Sequence, residues 1–205
     1  EMVAAGDYIS PRLNGVLYFE KPPLFYWLEA SAIKIGGMSL WALRVWPIAL
    51  AFLGIAAVYI TGRQLWGRAA GLWSAAVLAT SVLYYGVSQI IILDMAVSVF
   101  LTLAMCAFML AVRAPPGKTR RMWCWALYVA MVCALMTKGL IGLVIPGAII
   151  FLWLLLLNKW RELRHAHIIS GIVILLVLGA PWHYLAARAN PPPGGWSWSH
   201  FFTRD

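Results

Sequence analysis

The stretch Asp94-Met-Ala-Val-Ser-Val-Phe-Leu-Thr-Leu-Ala-Met-Cys-Ala-Phe-Met-Leu-Ala-Val112 carries one charge, at its first position, and then runs uncharged to Arg113. A helix rises about 1.5 Å per residue and the hydrocarbon core of a bilayer is about 30 Å thick, so roughly 20 apolar residues cross it. Met95 to Val112 reads as such a span. Working outward, five further stretches have the same character: Val45 to Gly62, Ala69 to Leu93, Met122 to Thr137, Gly139 to Leu157 and Ile168 to Ala187. Each is predicted to be helical, because an unpaired backbone group in lipid costs several kcal/mol and the period-2 alternation of a barrel is missing. The expected fold class is an all-α integral membrane bundle of six transmembrane helices in residues 45–187. An outer loop with a short interfacial helix precedes it in residues 1–44, and a second outer loop starts in residues 188–205.

Composition agrees with this reading. Of 205 residues, 63% are hydrophobic and 11% charged, where a soluble domain carries about 25% charge. Disordered chains, coiled coils and disulfide scaffolds are excluded; Cys106, Cys124 and Cys133 are scattered thiols in apolar runs, without metal spacing. The net charge of +9 invites a nucleic-acid reading, but its placement decides otherwise. Arg63 and Arg68, then Arg113, Lys118, Arg120 and Arg121, then Lys159, Arg161 and Arg164 fall in three short loops with Glu162 as the one acid. Loops of this kind face the cytoplasm, so no nucleic acid is called for. Leu24 to Ile35 is too short to cross and carries Glu29 and Lys34, so it is placed in the interface. If it spanned, the loop at Arg63 and Arg68 would fall on the wrong side. Trp41, Trp46, Trp123, Trp160, Trp182 and Trp196 near segment ends suggest an aromatic belt. The half-loop motif Gly67-x-x-x-Gly71 has little expected weight. The polar opening at Glu1 and the unanchored close at Asp205 read as a piece of a longer protein.

Few residues are placed to carry chemistry. Asp94 is the one acid between Ala69 and Val112, where ionisation costs about 2.5 to 3.5 kcal/mol even on a lenient scale. It either serves a site or caps the helix expected from Met95. Lys138 is alone in the outer turn Thr137-Lys-Gly139; it either snorkels or pairs with Asp94, with which it shares the outer face. Tyr18-Phe-Glu-Lys-Pro-Pro-Leu24 sets Glu20 and Lys21 before two prolines that favour polyproline II geometry. The two are a surface ion pair, or they hold a metal and a lipid phosphate respectively. His165 and His167 read as solvated; His183 and His200 are single candidates for a metal. No P-loop, G-x-G-x-x-G or G-x-S-x-G is present, so no nucleotide is indicated.

The run from Glu1 to Trp27, with Arg12-Leu-Asn-Gly15 and Tyr18-Phe-Glu-Lys-Pro-Pro23 within it, resembles the first outer loop of bacterial membrane glycosyltransferases. The family is that of the lipid A aminoarabinose transferase and the protein O-mannosyltransferases. The likeness extends to Ile92-Leu-Asp-Met-Ala96, Thr137-Lys-Gly-Leu140, Pro146-Gly147 and Pro181-Trp-His-Tyr184. It implies the N-terminal part of a C-type glycosyltransferase (GT-C) transmembrane bundle, in the inner membrane with its active site at the periplasmic face. The expected reaction passes a sugar from a polyprenyl-phosphate donor to a lipid A-like lipid, or to another glycan or protein acceptor of the envelope. Carried over residue by residue, Lys21 contacts the donor phosphate, Glu20 helps hold a divalent metal (zinc, magnesium or manganese) and Tyr18 lines the sugar cavity. Asp94 is a supporting acid of that cavity and Lys138 its polar partner, while the main catalytic Asp is expected upstream of Glu1. The competing reading is a multi-pass transporter with Asp94 and Lys138 as a coupling pair. The lack of an inverted repeat and the gathering of polar residues at one face stand against it.

Overall fold

The structure is a computed structural model and describes residues 1–191. Its elements are α1 (Met2–Ala5), a hairpin of β1 (Arg12–Leu13) and β2 (Val16–Leu17), α2 (Leu24–Gly36), α3 (Leu40–Trp66), α4 (Arg68–Thr80), α5 (Val82–Ser88), α6 (Leu93–Arg113), α7 (Lys118–Lys138), α8 (Ile141–Leu156), a 3-10 turn (Trp160–His165) and α9 (Ile168–Ala189). By length and apolarity α3, α6 and α9 are long enough to cross a membrane, and α4 with α5 adds a fourth crossing if the bent pair is one span. The 16-residue α8 and α7, which opens on Lys118-Thr-Arg-Arg121, fall short of that measure. Together they make a multi-pass membrane bundle.

Several boundaries differ from the sequence expectation for local reasons. Helix α3 starts at Leu40 rather than Val45, because the Ser39 hydroxyl accepts from the Ala42 amide at 3.2 Å and caps it. The run from Ala69 to Leu93 is not one helix. It bends by 63° between α4 and α5, where Ser81 is extended and Thr80 Oγ1 donates back to the Ala76 carbonyl at 2.8 Å, a competition that weakens helices at such residues. Pro23 is not in polyproline II geometry; it sits at φ −88°, ψ −7° as the residue that starts α2. The Asn14-Gly15 turn has positive φ at both positions, 53° and 78°, the signature of a two-residue hairpin loop, and it pairs Arg12 with Leu17 and Leu13 with Val16.

Close helix approach organises the basic end. A Cβ at Gly71 would stand 2.7 Å from the Tyr59 carbonyl oxygen and 2.8 Å from the Arg63 amide nitrogen, and one at Gly62 would stand 3.0 Å from Gly71 Cα. Gly71 therefore matters more than the sequence suggested, with Gly62 rather than Gly67 as its partner across α3 and α4.

The helix directions separate two ends. Leu50 and Ala51 of α3 pack on Met95, Ala96 and Val99 of α6 with Phe25 of α2. Asp94, at the start of α6, meets Lys138, at the end of α7. At the other end, Arg120 meets Glu162 at 2.5 Å, Tyr128 donates to the Ala166 carbonyl and Cys124 Sγ to that of His165. Between the ends, side chains such as Phe52, Trp73, Val144, Phe151 and Ile172 lie exposed, as a surface facing lipid requires.

Candidate active site

The segment ahead of α2 contains little regular structure, so its position depends on specific contacts. Asp7 Oδ1 accepts from the amides of Ile9 and Ser10, at 2.9 and 3.0 Å, and these two bonds hold its carboxyl below the usual range. That turn presents backbone carbonyls to two indoles: Trp182 Nε1 donates to Ile9 O at 3.0 Å and Trp27 Nε1 to Tyr8 O at 2.8 Å. Asn190 Nδ2 donates to Ser10 Oγ at 2.8 Å. Phe19 and Leu24 then pack on the cluster of Val132, Met136, Trp182 and Ala186. Trp182 and Trp46, whose indole donates to Ser31 Oγ, are thus internal pins. Trp41 and Trp160 are exposed and Trp123 packs inward beside Leu127; Trp196 lies outside the described residues.

Docked in this way, the loop displays a chain of three polar side chains. Tyr18 Oη donates to Glu20 Oε2 at 2.5 Å and Lys21 Nζ lies 3.2 Å from Glu20 Oε1. The Tyr18 bond, then the Lys21 contact, holds the Glu20 carboxyl below its ordinary value, and the same bond pushes the Tyr18 phenol up to about 12. Phe19 and Leu24, which flank Lys21 in the sequence, both pack on the cluster that contains Met136 of α7. That places Lys21 on the end of the bundle that carries Lys138.

Asp94 is in the first turn of α6, which starts at Leu93 after Ile92, and no side chain caps that helix. Asp94 thus makes no capping hydrogen bond, although it stands in the first turn where the helix dipole favours an acid, and its carboxylate is the acceptor for Lys138 Nζ. Both side chains remain partly exposed, 34% for Lys138 and 50% for Asp94, so the pair is accessible to a ligand. Among the described residues no hydrogen bond or ion pair joins it to Glu20 or Lys21. The pair lies at the end of two helices, away from the midplane where a coupling site of a transporter is built.

Metal-binding expectations fare differently. Among the described residues no three His, Cys, Asp or Glu side chains converge, and both Glu20 oxygens are engaged by Tyr18 and Lys21. His183 Nδ1 lies 2.8 Å from the Gly179 carbonyl of its own helix; His200 lies outside the described residues. The described residues do not by themselves fit a metal.

One carboxylate at this end was missed. Glu29 follows Phe25 by four positions and precedes Ala32 by three, which puts it on the buried face of α2. Both its oxygens are buried without a partner among the described residues, and burial pushes its carboxyl up to about 7. Phe25-x-x-x-Glu29-x-x-Ala32 was the available signal, hidden by the reading of α2 as an interfacial helix with a wet polar side.

A helical bundle with its polar groups gathered at one end, under a docked loop, matches a known architecture. The crystal structures of ArnT from Cupriavidus metallidurans, in the apo state and bound to undecaprenyl phosphate, superpose with a TM-score of 0.88 at 28% identity, over 92% of this chain and 35% of theirs. The fold is thus the N-terminal part of a GT-C transmembrane bundle. Residues 2–190 match the dolichyl-phosphate-mannose-protein mannosyltransferase family, and the chain belongs to that family. Among curated relatives, the undecaprenyl phosphate-alpha-4-amino-4-deoxy-L-arabinose arabinosyl transferase of Erwinia tasmaniensis is 31% identical over 98% of this chain and 36% of its own length. A second such transferase, from Sodalis glossinidius, is 33% identical over 79% of this chain and 30% of its own. The chain spans about a third of the length of the curated relatives it matches. None of these relatives supports the transporter reading.

Proposed function

We propose that this protein is a glycosyltransferase that takes a sugar from a polyprenyl-phosphate donor and passes it to a lipid A-like or other envelope acceptor. The single observation that carries the reading is the docked Tyr18–Glu20–Lys21 array on the same end of the bundle as the accessible Asp94–Lys138 pair. In the reaction the bond between the anomeric carbon and the phosphate oxygen breaks, and its electron pair stays on that oxygen. Lys21, turned from Glu20 toward the phosphate, neutralises the growing charge. The acceptor oxygen forms the new bond at the anomeric carbon and loses its proton to a carboxylate, the main one supplied from outside residues 1–205. Asp94 steers the sugar and acceptor by its charge, with Lys138 fixing its orientation, and Tyr18 borders the sugar. A divalent metal at Glu20 would add charge neutralisation at the phosphate, with its remaining ligands drawn from outside the described residues.

The charge of the three basic loops supports a cytoplasmic position for the opposite end. The site then faces the periplasm from the inner membrane, with six spans in the order read from the sequence. Residues 1–44 form the outer loop and its interfacial helix, and a second outer loop begins after α9. A polyprenyl tail keeps the donor in the bilayer, which is why a site at the bundle's rim suits it. Mass spectrometry of envelope lipids and glycans from cells with the gene, without it, and complemented with Lys21→Ala tests the reading. A sugar-modified species should vanish on deletion and return only with the wild-type gene. Identical lipid and glycan profiles in all three strains would overturn it.

A further inference from the structure

At the end of the bundle away from this site, an open cavity of about 360 Å³ is lined by Lys118, Arg120, Arg121, His165 and His167, together with Pro116 and Gly117. Three independent features give it one chemical character. The first is charge. Three permanent cations border the space, no acid is among its described lining residues, and neighbouring Glu162 is already taken by Arg120 Nη2 at 2.5 Å. The second is backbone polarity. Helix α7 starts after Gly117 and α9 after His167, both without a side-chain cap and without an acid in the first turn. Two sets of unpaired amides, at two positive dipole ends, therefore flank the cavity. The third is a stranded donor: the Arg120 side chain is only 9% exposed, yet its Nε has no partner among the described residues. A buried guanidinium N–H without an acceptor is costly, and this one belongs to a side chain that lines the cavity.

The walls are held in place independently of any ligand. Tyr128 donates to the Ala166 carbonyl at 2.8 Å and Cys124 Sγ to that of His165 at 3.7 Å, tying the turn before α9 to α7. His167 itself sits in the left-handed region at φ 51°, a conformation that a residue other than glycine rarely adopts.

We propose that this cavity is a binding site for a phosphate group. Fork-shaped guanidinium donors, an ammonium and free helix-start amides are the donor set that phosphate oxygens select. The neighbouring surface identifies the carrier as a membrane phospholipid with an anionic headgroup. The Arg121 guanidinium lies 5.3 Å from the Trp125 ring centre, and Trp125 and Met122 are exposed beside it, giving acyl chains an apolar track running from the cavity along α7. Basic pockets between helices at the cytoplasmic side hold anionic headgroups in this manner. The site is separate from the outer-end chemistry and does not depend on it.

The test uses the protein as expressed from its own gene, purified in detergent, with native mass spectrometry of added dioleoylphosphatidylglycerol and, as the neutral probe, dioleoylphosphatidylcholine. The variant pair Lys118→Gln with Arg121→Gln removes two exposed cavity charges, so folding is unaffected. The pair Arg63→Gln with Arg68→Gln removes two exposed charges at the same end outside the cavity. Phosphatidylglycerol affinity should fall about 30-fold in the first pair, the worth of two basic side chains at an anionic surface, and stay within about twofold in the second. A thermal-shift arm with inorganic phosphate against chloride at equal ionic strength identifies the source. Stabilisation by phosphate that the cavity variant loses, without selective lipid retention, keeps the phosphate site and makes its ligand a free anion. If neither phosphatidylglycerol nor inorganic phosphate distinguishes the cavity variant from the Arg63 and Arg68 variant, the proposal is wrong.

Discussion

Replacing Lys21 with alanine separates folding from chemistry more cleanly than any other change at the outer end. Its ammonium is 3.2 Å from Glu20 Oε1, and Glu20 is 61% exposed; exposed pairs of this type contribute little to stability because water and salt screen them. The loop is held by other groups, chiefly the Trp182 and Trp27 indoles and the packing of Phe19 and Leu24, none of which involves Lys21. The melting temperature of Lys21→Ala should therefore match wild type within error. Chemistry should respond quite differently. A fixed cation at the leaving phosphate stabilises charge that develops only as the glycosyl bond breaks, and removing one comparable donor elsewhere costs about 2 to 4 kcal/mol. At about 1.36 kcal/mol per factor of ten, transfer should fall about 30-fold to 1000-fold. Lys21→Arg should recover part of this, since the charge survives with altered reach. Glu20→Gln should weaken the competing pair and leave Lys21 in place. The assay is transfer from a polyprenyl-phosphate sugar to extracted acceptor lipid, with melting measured on the same preparations. Transfer by Lys21→Ala within about twofold of wild type, an effect of about 0.4 kcal/mol, refutes the phosphate role and leaves Glu20–Lys21 as a surface ion pair.

Asp94→Asn keeps the shape of the side chain and loses the charge that Lys138 meets; transfer should fall about 100-fold, the low end for a positioned acid–base group, and unchanged turnover would leave the pair purely structural. Glu29 has a folded pKa near 7 against about 4.3 for a free Glu, so wild type loses stability as pH rises between those values while Glu29→Gln does not. Melting of the two should coincide near pH 4 and diverge in favour of Gln by pH 8, and parallel curves would show Glu29 to be solvated. Gly71→Leu forces a side chain against the backbone of Tyr59 and Arg63 and should cost more than the usual 1 to 3 kcal/mol (roughly) of overpacking, whereas Gly147→Ala, with nothing within 4 Å, should be harmless; equal melting of the two would remove α3–α4 contact from the account. A cysteine placed at Thr119 should resist an impermeant thiol reagent in intact cells while one at Leu13 reacts, and ready labelling at Thr119 would reverse the proposed orientation.

How much of this was legible in residue order depends on the range of the interaction involved. Helical character follows from apolar length alone. Charge placement needs only parity, which is how the sequence alone could offer Asp94 and Lys138 as partners across 44 positions. The break at Ser81 was not visible in the same way, because an uncharged stretch reads equally well as one long helix or two bent ones; Thr80 bonding to its own helix is a weak local preference. Pro23 was misjudged because proline fixes φ and leaves ψ open, so both polyproline II and helix-start geometries were available to it. The Asn14-Gly15 hairpin was a recognisable turn signal, but Arg12-Leu-Asn-Gly15 was read only as part of the family likeness. The roles of Gly62, Trp182 and Glu29 depend on which surface each meets, and that is tertiary information. The cavity at Arg120 and His167 joins residues from two loops that were separately read as solvated, and only folding shows that they face one another.

The indole of Trp182 and the amide of Asn190 close contacts with Ile9 and Ser10 across 173 and 180 positions of chain. This sets an order of events during synthesis. The loop ahead of α2 emerges early, but Trp182 and Asn190, which hold it, follow only when α9 has left the ribosome. At about 5 to 20 residues per second, the loop waits about 10 to 35 s with Tyr18, Glu20 and Lys21 unpositioned. Until then the contacts that seat the loop ahead of α2 are missing, and Lys21 has no fixed place beside Trp182 and Met136, on which its neighbours Phe19 and Leu24 pack. The same late clasp makes the loop a reporter of α9: a protease should cut between Asp7 and Lys21 in chains stopped before α9 and spare those in which Trp182 and Asn190 are in place.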